Sequence, residues 1–167
     1  MLDWVIQKWE KNKGRLEAAI RQDKNINECE YVYLVELVVH YILNDGCEIK
    51  EDDWYEDELR WNAKRITEVD DGEWHGAKLF IIPKLTHWPA VEEYLFTYQY
   101  YGSCSVCDTL QRIQSVFWEK VVDFHFTAEL PTESQVKDYL LLCQYLVCNM
   151  NWLGGSEEDR KMFLGYR

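Results

Sequence analysis

The chain predicts an α+β fold, a three-stranded antiparallel meander packed by N-terminal and C-terminal helices. Three observations lead there. Apolar residues follow helical spacing over residues 1–63, alternate with a period of two over 64–101, and return to helical spacing over 102–167. These parts are read as one domain, since 167 residues is long enough to bury a core without staples. A hydrophobic content of 47% and an aromatic content of 15% exclude general disorder.

Residues 2–22 carry Leu2, Val5, Ile6, Trp9, Leu16, Ala19 and Ile20 at mostly three- and four-residue spacing, with Lys and Glu between them. That is an amphipathic helix, weakened and open to division at Gly14. Residues 29–43 are almost continuously apolar, and their length favours a buried central helix over a strand, stopped at Asn44-Asp45-Gly46. His40 and Glu36 stand four apart on it and are expected to be an ordinary core pair. If residues 51–61 are helical, Asp52 caps them and Trp54, Asp57 and Trp61 share a stripe.

From Lys64 the period changes. Arg65 to Val69 alternates as a half-buried strand, and Asp70 to Gly76 reads as a turn and loop. Ala77 to Ile82 is a second strand stopped by Pro83. Residues 92–101 form the third, with Tyr94, Phe96, Tyr98 and Tyr100 on one face. A helix follows from Asp108 to Trp118. Another opens at the capping box Thr132/Gln135 and is expected to run to Gly154-Gly155, with Val136, Tyr139, Leu140, Cys143, Leu146, Val147 and Met150 inward.

The formal net charge is −12, from thirty acidic against eighteen basic residues. This balance argues against direct binding to nucleic acid or anionic membrane, which needs a positive surface. It favours basic partners, including proteins that themselves bind nucleic acid, although charge of this sign also serves solubility alone. No apolar run has the length of a transmembrane helix, and Met1-Leu2-Asp3-Trp4 lacks the basic region of a signal peptide. The expectation is an intracellular, cytoplasmic protein whose six cysteines are mainly reduced thiols. Oligomeric state is left open.

The acid is concentrated in Glu51, Asp52, Asp53, Glu56, Asp57 and Glu58, interleaved with Trp54 and Tyr55. Such a run is either a solvated face with its aromatics turned inward or an exposed acidic-aromatic interface, for which Trp and Tyr are the usual anchors. Asp70, Asp71 and Glu73 add a second acidic loop.

Cys104-x-x-Cys107, between a strand and a helix, carries three readings. A redox pair at a helix N-terminus resembles the thioredoxin arrangement, but the meander before it and the helix after Pro131 do not fit that fold, and Asp108 opposes a thiolate. A structural zinc needs four ligands, and the remaining two would come from Cys143, Cys148, His87, His125, Cys29 or Cys47. The favoured reading is a tight turn of small residues with Cys107 filling an apolar gap, and so no cofactor. No phosphate loop, nucleophile elbow or paired histidine motif is present in the sequence, which leans against an enzyme.

Residues 65–113, with their Asp-Asp-Gly turn and the run Tyr101-Gly-Ser-Cys-Ser-Val-Cys-Asp-Thr-Leu-Gln111, resemble a block in small uncharacterised proteins of phages and prophages. The resemblance implies a context and no transferable catalytic residue. A small, strongly acidic protein of that kind is similar in character to the inhibitors phages direct at host defence, anti-CRISPR proteins among them, many of which offer carboxylates where a nuclease expects phosphates. The expectation is therefore a non-enzymatic inhibitor of a basic, nucleic-acid-handling host protein. The alternatives are the thiol or zinc protein above and a phage structural or assembly subunit.

Overall fold

A computed structural model of the protein describes residues 2–48, 60–118 and 130–154. The first helix, α1 (Asp3–Gln22), turns Val5, Trp9, Asn12, Leu16 and Ile20 into the core. It runs unbroken through Gly14, beside which an added Cβ would meet nothing within 4 Å. The glycine faces open space, and the packed stripe on the opposite side holds the helix through it.

The central apolar stretch is α2 (Tyr31–Leu37), continued by a π-helical turn over Val38–Leu43 whose Val38, Val39, Ile42 and Leu43 are all buried. The wider turn changes the phase of the side chains. His40 lies edge-on to Tyr41, with ring centroids 4.5 Å apart. Glu36, four residues earlier, has its carboxyl pKa raised by burial. The stretch ends where Asp45 and Gly46 take positive φ, at 56° and 70°, the left-handed stop that Asp tolerates and Gly favours.

Among the described residues, the sheet has four antiparallel strands in the order β1 (Thr67–Asp70), β2 (Gly76–Pro83), β3 (Tyr94–Tyr101) and β4 (Asn151–Trp152). The first three are the predicted meander. Cross-strand partners Phe80↔Thr97 and Ile82↔Leu95 point to the helices, and all four residues are fully buried. The alternate partners Leu79↔Tyr98 and Ile81↔Phe96 point the other way, because side chains change face at every residue. Gly76 to Pro83 therefore sets a register in which a slip by one residue would exchange the two faces.

Two further helices follow among the described residues. In α3 (Thr109–Trp118) the first turn is capped by Asp108, whose Oδ1 accepts from the Gln111 N–H at 2.9 Å. The Tyr31 hydroxyl donates to the same oxygen at 2.9 Å and accepts from the Leu110 N–H at 3.2 Å. It thereby ties the start of α2 to the start of α3. α4 (Glu133–Cys148) opens on the reciprocal Thr132/Gln135 cap and buries Val136, Tyr139, Leu142, Cys143, Leu146 and Val147. It packs along α1 and onto the sheet, where Thr97 Oγ1 donates to the Leu146 carbonyl at 2.6 Å.

Sequence periodicity carries α4 too far. The helix stops at Cys148, and the chain then reverses so that Trp152 pairs with Leu95 as a fourth strand. The reason is packing, since the indole of Trp152 joins those of Trp4 and Trp61 at centroid distances of 6.3 and 5.5 Å. Burying an aromatic of this size is worth about 1.5–3 kcal/mol, more than the last helical turn gives up. Among the described residues, no helix is long and apolar enough to cross a membrane.

Candidate functional site

The predicted contact residues Glu51, Asp52, Asp53, Trp54, Tyr55, Glu56, Asp57 and Glu58 lie outside the described residues. The ground on either side of them is well defined. At one end, Asn44 is buried and its side chain behaves as a peptide group. Its Nδ2 donates to the Trp61 carbonyl at 2.8 Å, and its Oδ1 accepts the Trp61 N–H at 2.9 Å. At the other end, Trp61 bridges Lys84 just beyond β2, flanked by Asn62 N–H to Pro83 O and Leu85 N–H to Arg60 O, both 2.8 Å. The chain leaves Asn44 and returns to it at Trp61, so the acidic segment is closed at its base by two buried hydrogen bonds. Trp61 is accordingly extended backbone and not part of a helical stripe with Trp54.

Asp45 sits beside this base as the acceptor for α1. Lys8 Nζ reaches its Oδ2 at 2.6 Å, Lys11 Nζ and Asn12 Nδ2 reach its Oδ1 at 3.3 and 2.5 Å, and Arg15 donates to its carbonyl at 2.6 Å. Burial alone would raise this carboxyl; the hydrogen bonds from Lys8 and Asn12 and the Lys8 charge overcome it and hold the pKa at about 2. Three basic side chains of α1 are thus spent on one turn. Elsewhere Lys13 pairs with Glu10, Arg21 with Glu17 and Glu133, Lys78 with Glu68 and Asp70, and Lys84 with Glu93. Lys8, Lys11, Lys13, Arg21, Lys78 and Lys84 are thus each paired with carboxylates of the fold itself.

In the second acidic loop, two of the three acids are engaged locally. Asp70 Oδ1 accepts from the Tyr101 hydroxyl at 2.6 Å and from the Gly72 N–H at 3.1 Å. Asp71 Oδ1 accepts from the Ala77 N–H at 2.6 Å. The turn requires Gly72, where a Cβ would come within 2.2 Å of the His75 carbonyl oxygen. Glu73 is exposed at the tip, next to Trp74, which is 73% exposed.

Behind that tip, the sheet face turned away from the helices is aromatic and apolar. Val69 and Tyr100 are 46% and 62% exposed, and Leu79, Ile81, Phe96 and Tyr98 are half-buried. The alternation that predicts Tyr94, Phe96, Tyr98 and Tyr100 on one face also left this face open, a consequence the pattern carries but does not weigh.

The Cys104/Cys107 turn departs from the favoured sequence reading. Both thiols are exposed and free, so Cys107 fills no apolar gap. The turn closes through Cys107 N–H and Asp108 N–H, which donate to the Cys104 carbonyl at 3.0 and 2.9 Å, and the two sulfurs stand 3.0 Å apart. Gly102 is what lets Cys107 sit there, since a Cβ on it would lie 2.4 Å from Cys107 Sγ. The Cys104 thiol is pulled below its ordinary pKa by the hydrogen bond from Cys107, then by the backbone N–H groups of Cys107 and Val106, against an opposing effect of Asp108. Among the described residues no three or more His, Cys, Asp or Glu side chains converge as a metal site. Of the other cysteines proposed as ligands, Cys143 is buried, with its thiol pKa raised by desolvation.

The residues that sequence reasoning overlooked are Asn44, Asp45 and Tyr31. Asn44-Asp45-Gly46 is legible as a stop signal, but its role as the clamp on a later segment depends on contacts with Trp61 and α1. Compared with known protein families, curated protein sequences and solved structures, the chain matches none.

Proposed function

We propose that the chain is a non-enzymatic, phage-type inhibitor that binds a basic, nucleic-acid-handling host protein in the host cytoplasm. It presents carboxylates in place of phosphates, as an anti-CRISPR or other anti-defence protein would. The observation that carries this reading is the tethered acidic segment. Glu51, Asp52, Asp53, Glu56, Asp57 and Glu58, with Trp54 and Tyr55, occupy a stretch whose two ends are held together by Asn44 and Trp61. Closing the base lowers the entropy that the segment must lose on binding. The two aromatics supply apolar anchors amid the charge.

The net charge of −12 supports the same reading, because thirty acidic residues exceed eighteen basic ones and leave carboxylates without an internal counter-charge. Association with a positive groove would then be steered over about one Debye length, ~10 Å at 0.1 M salt, and weaken as salt rises. The exposed Trp74 and the aromatic sheet face are further surface of the kind that interfaces use.

Capture from bacterial lysate tests the proposal, with wild type run beside a variant carrying Asp52→Lys, Asp53→Lys, Glu56→Lys and Asp57→Lys. A basic protein retained by wild type at low salt, released at high salt and absent from the variant is the expected result. A partner held equally by both proteins would sink the assignment of the acidic segment.

A further inference from the structure

We propose that Cys104 and Cys107 form a thiol–disulfide exchange site, which takes low-molecular-weight disulfides as its oxidising substrate and closes to an intramolecular disulfide. This goes beyond the inhibitor reading and does not depend on it.

The geometry supplies each requirement. The exchange partner must reach the sulfur, and both thiols are exposed on a turn whose Val106 is 92% exposed. The two cysteines must also reach each other. A chain reversal closed by an i to i+3 hydrogen bond holds its end Cα atoms within about 7 Å. A disulfide usually spans about 4.4–6.8 Å between Cα atoms. The Cys107 N–H to Cys104 O bond of 3.0 Å closes such a reversal, and the sulfurs already stand 3.0 Å apart. Gly102 clears the space Cys107 needs, and the buried Asp108 anchors the far side of the turn to α3 and Tyr31. Closing the bond asks the sulfurs to approach by about 1 Å from their present separation.

The two cysteines take different roles. Cys104 Sγ lies 3.0 Å from Cys107 Sγ, and that contact, with the nearby backbone N–H groups of Cys107 and Val106, favours its thiolate, so it is the attacking sulfur. Its thiolate attacks one sulfur of the small disulfide, forming a mixed disulfide and expelling one thiolate. Cys107 then gives its proton to solvent, and its thiolate attacks the Cys104 sulfur, breaking the mixed disulfide and expelling the second thiolate. Two electrons pass from the pair to the small disulfide, which leaves as two thiols once protonated.

The test uses the full chain, reduced and then equilibrated in glutathione buffers of increasing oxidised fraction, with mass spectrometry and peptide mapping. The expected result is the loss of two hydrogens per chain, mapped to a Cys104–Cys107 bond and reversed by excess reduced glutathione. Cys104→Ser should give a glutathione adduct at Cys107, and Cys107→Ser a stable adduct at Cys104 that wild type resolves. Circular dichroism confirms that these exposed substitutions leave the fold intact, and the wild-type map stands without them. Full retention of both thiols in the most oxidising buffer, or a bond that instead joins either cysteine to Cys47, overturns the proposal.

Discussion

Replacing Asn44 by Ala removes the clamp on the acidic segment and tests whether that segment is built on a fixed base. Asn44 is 5% exposed and makes two hydrogen bonds to Trp61, at 2.8 and 2.9 Å. The Trp61 N–H and carbonyl face away from Lys84, because the bonds of that bridge run through Asn62 and Arg60. Alanine therefore leaves both groups buried and unpaired. Each such loss costs about 1–3 kcal/mol, so the pair costs about 2–4 kcal/mol, allowing for partial relaxation. For a domain of this size, 1 kcal/mol moves Tm by about 2–4 °C, and the expected fall is roughly 10 °C. Thermal unfolding followed by circular dichroism reads this directly. Asn62→Ala is the control, since Asn62 only caps a short turn through Lys64 N–H, a loss of about 1 kcal/mol. A fall for Asn44→Ala no larger than that of the control would refute the clamp.

Asp45→Asn probes the acid limb of stability. The folded carboxyl is depressed to about 2, so its contribution is present above the unfolded pKa near 4 and is lost as pH falls through the folded value. Wild type should lose about 1–2 kcal/mol more than the variant between pH 4 and pH 2, after discounting for solvent screening, as measured by urea denaturation at each pH. Asn tolerates the positive φ at this position, so no strain confounds the comparison. Tyr31→Phe removes the hydroxyl between Asp108 and the Leu110 N–H and should cost about 1–3 kcal/mol by chemical denaturation. Gly14→Ala, where a Cβ meets nothing, should raise stability by up to about 1 kcal/mol. A drop there would mean that the exposed face of α1 is packed in solution.

The order of elements was legible because each carries a local signal. Pro83 stops β2, alternation from Tyr94 to Tyr100 marks β3, and Thr132 with Gln135 announces α4. Fold class followed from the change of period at Lys64. What escaped depends on partners distant in sequence. β4 is two residues long and exists because Leu95 and the Trp4/Trp61 indoles await it. The π-helical turn was hidden since Val38–Leu43 is apolar on nearly every face, and periodicity needs a contrast to register.

The candidate sites divide in the same way. Composition alone picked out the acidic run and the Cys-x-x-Cys turn. The direction of the thiols was decided by the close approach of Gly102, and the role of Asp108 by Tyr31, a residue 77 positions earlier. From sequence Asp108 opens a helix and opposes a thiolate; in the fold it is the buried cap of α3, held by Tyr31.

The central claim is that the acidic segment takes the place of phosphates on a nucleic-acid-handling protein. The most direct measurement is competition. Fluorescent duplex DNA is bound to the captured basic partner, and the chain is titrated in while anisotropy is followed at two salt concentrations. The account predicts displacement of the DNA by wild type, weaker at the higher salt, and none by the variant reversed at Asp52, Asp53, Glu56 and Asp57. A ternary complex that keeps its DNA, or displacement equally strong with the reversed variant, would contradict it.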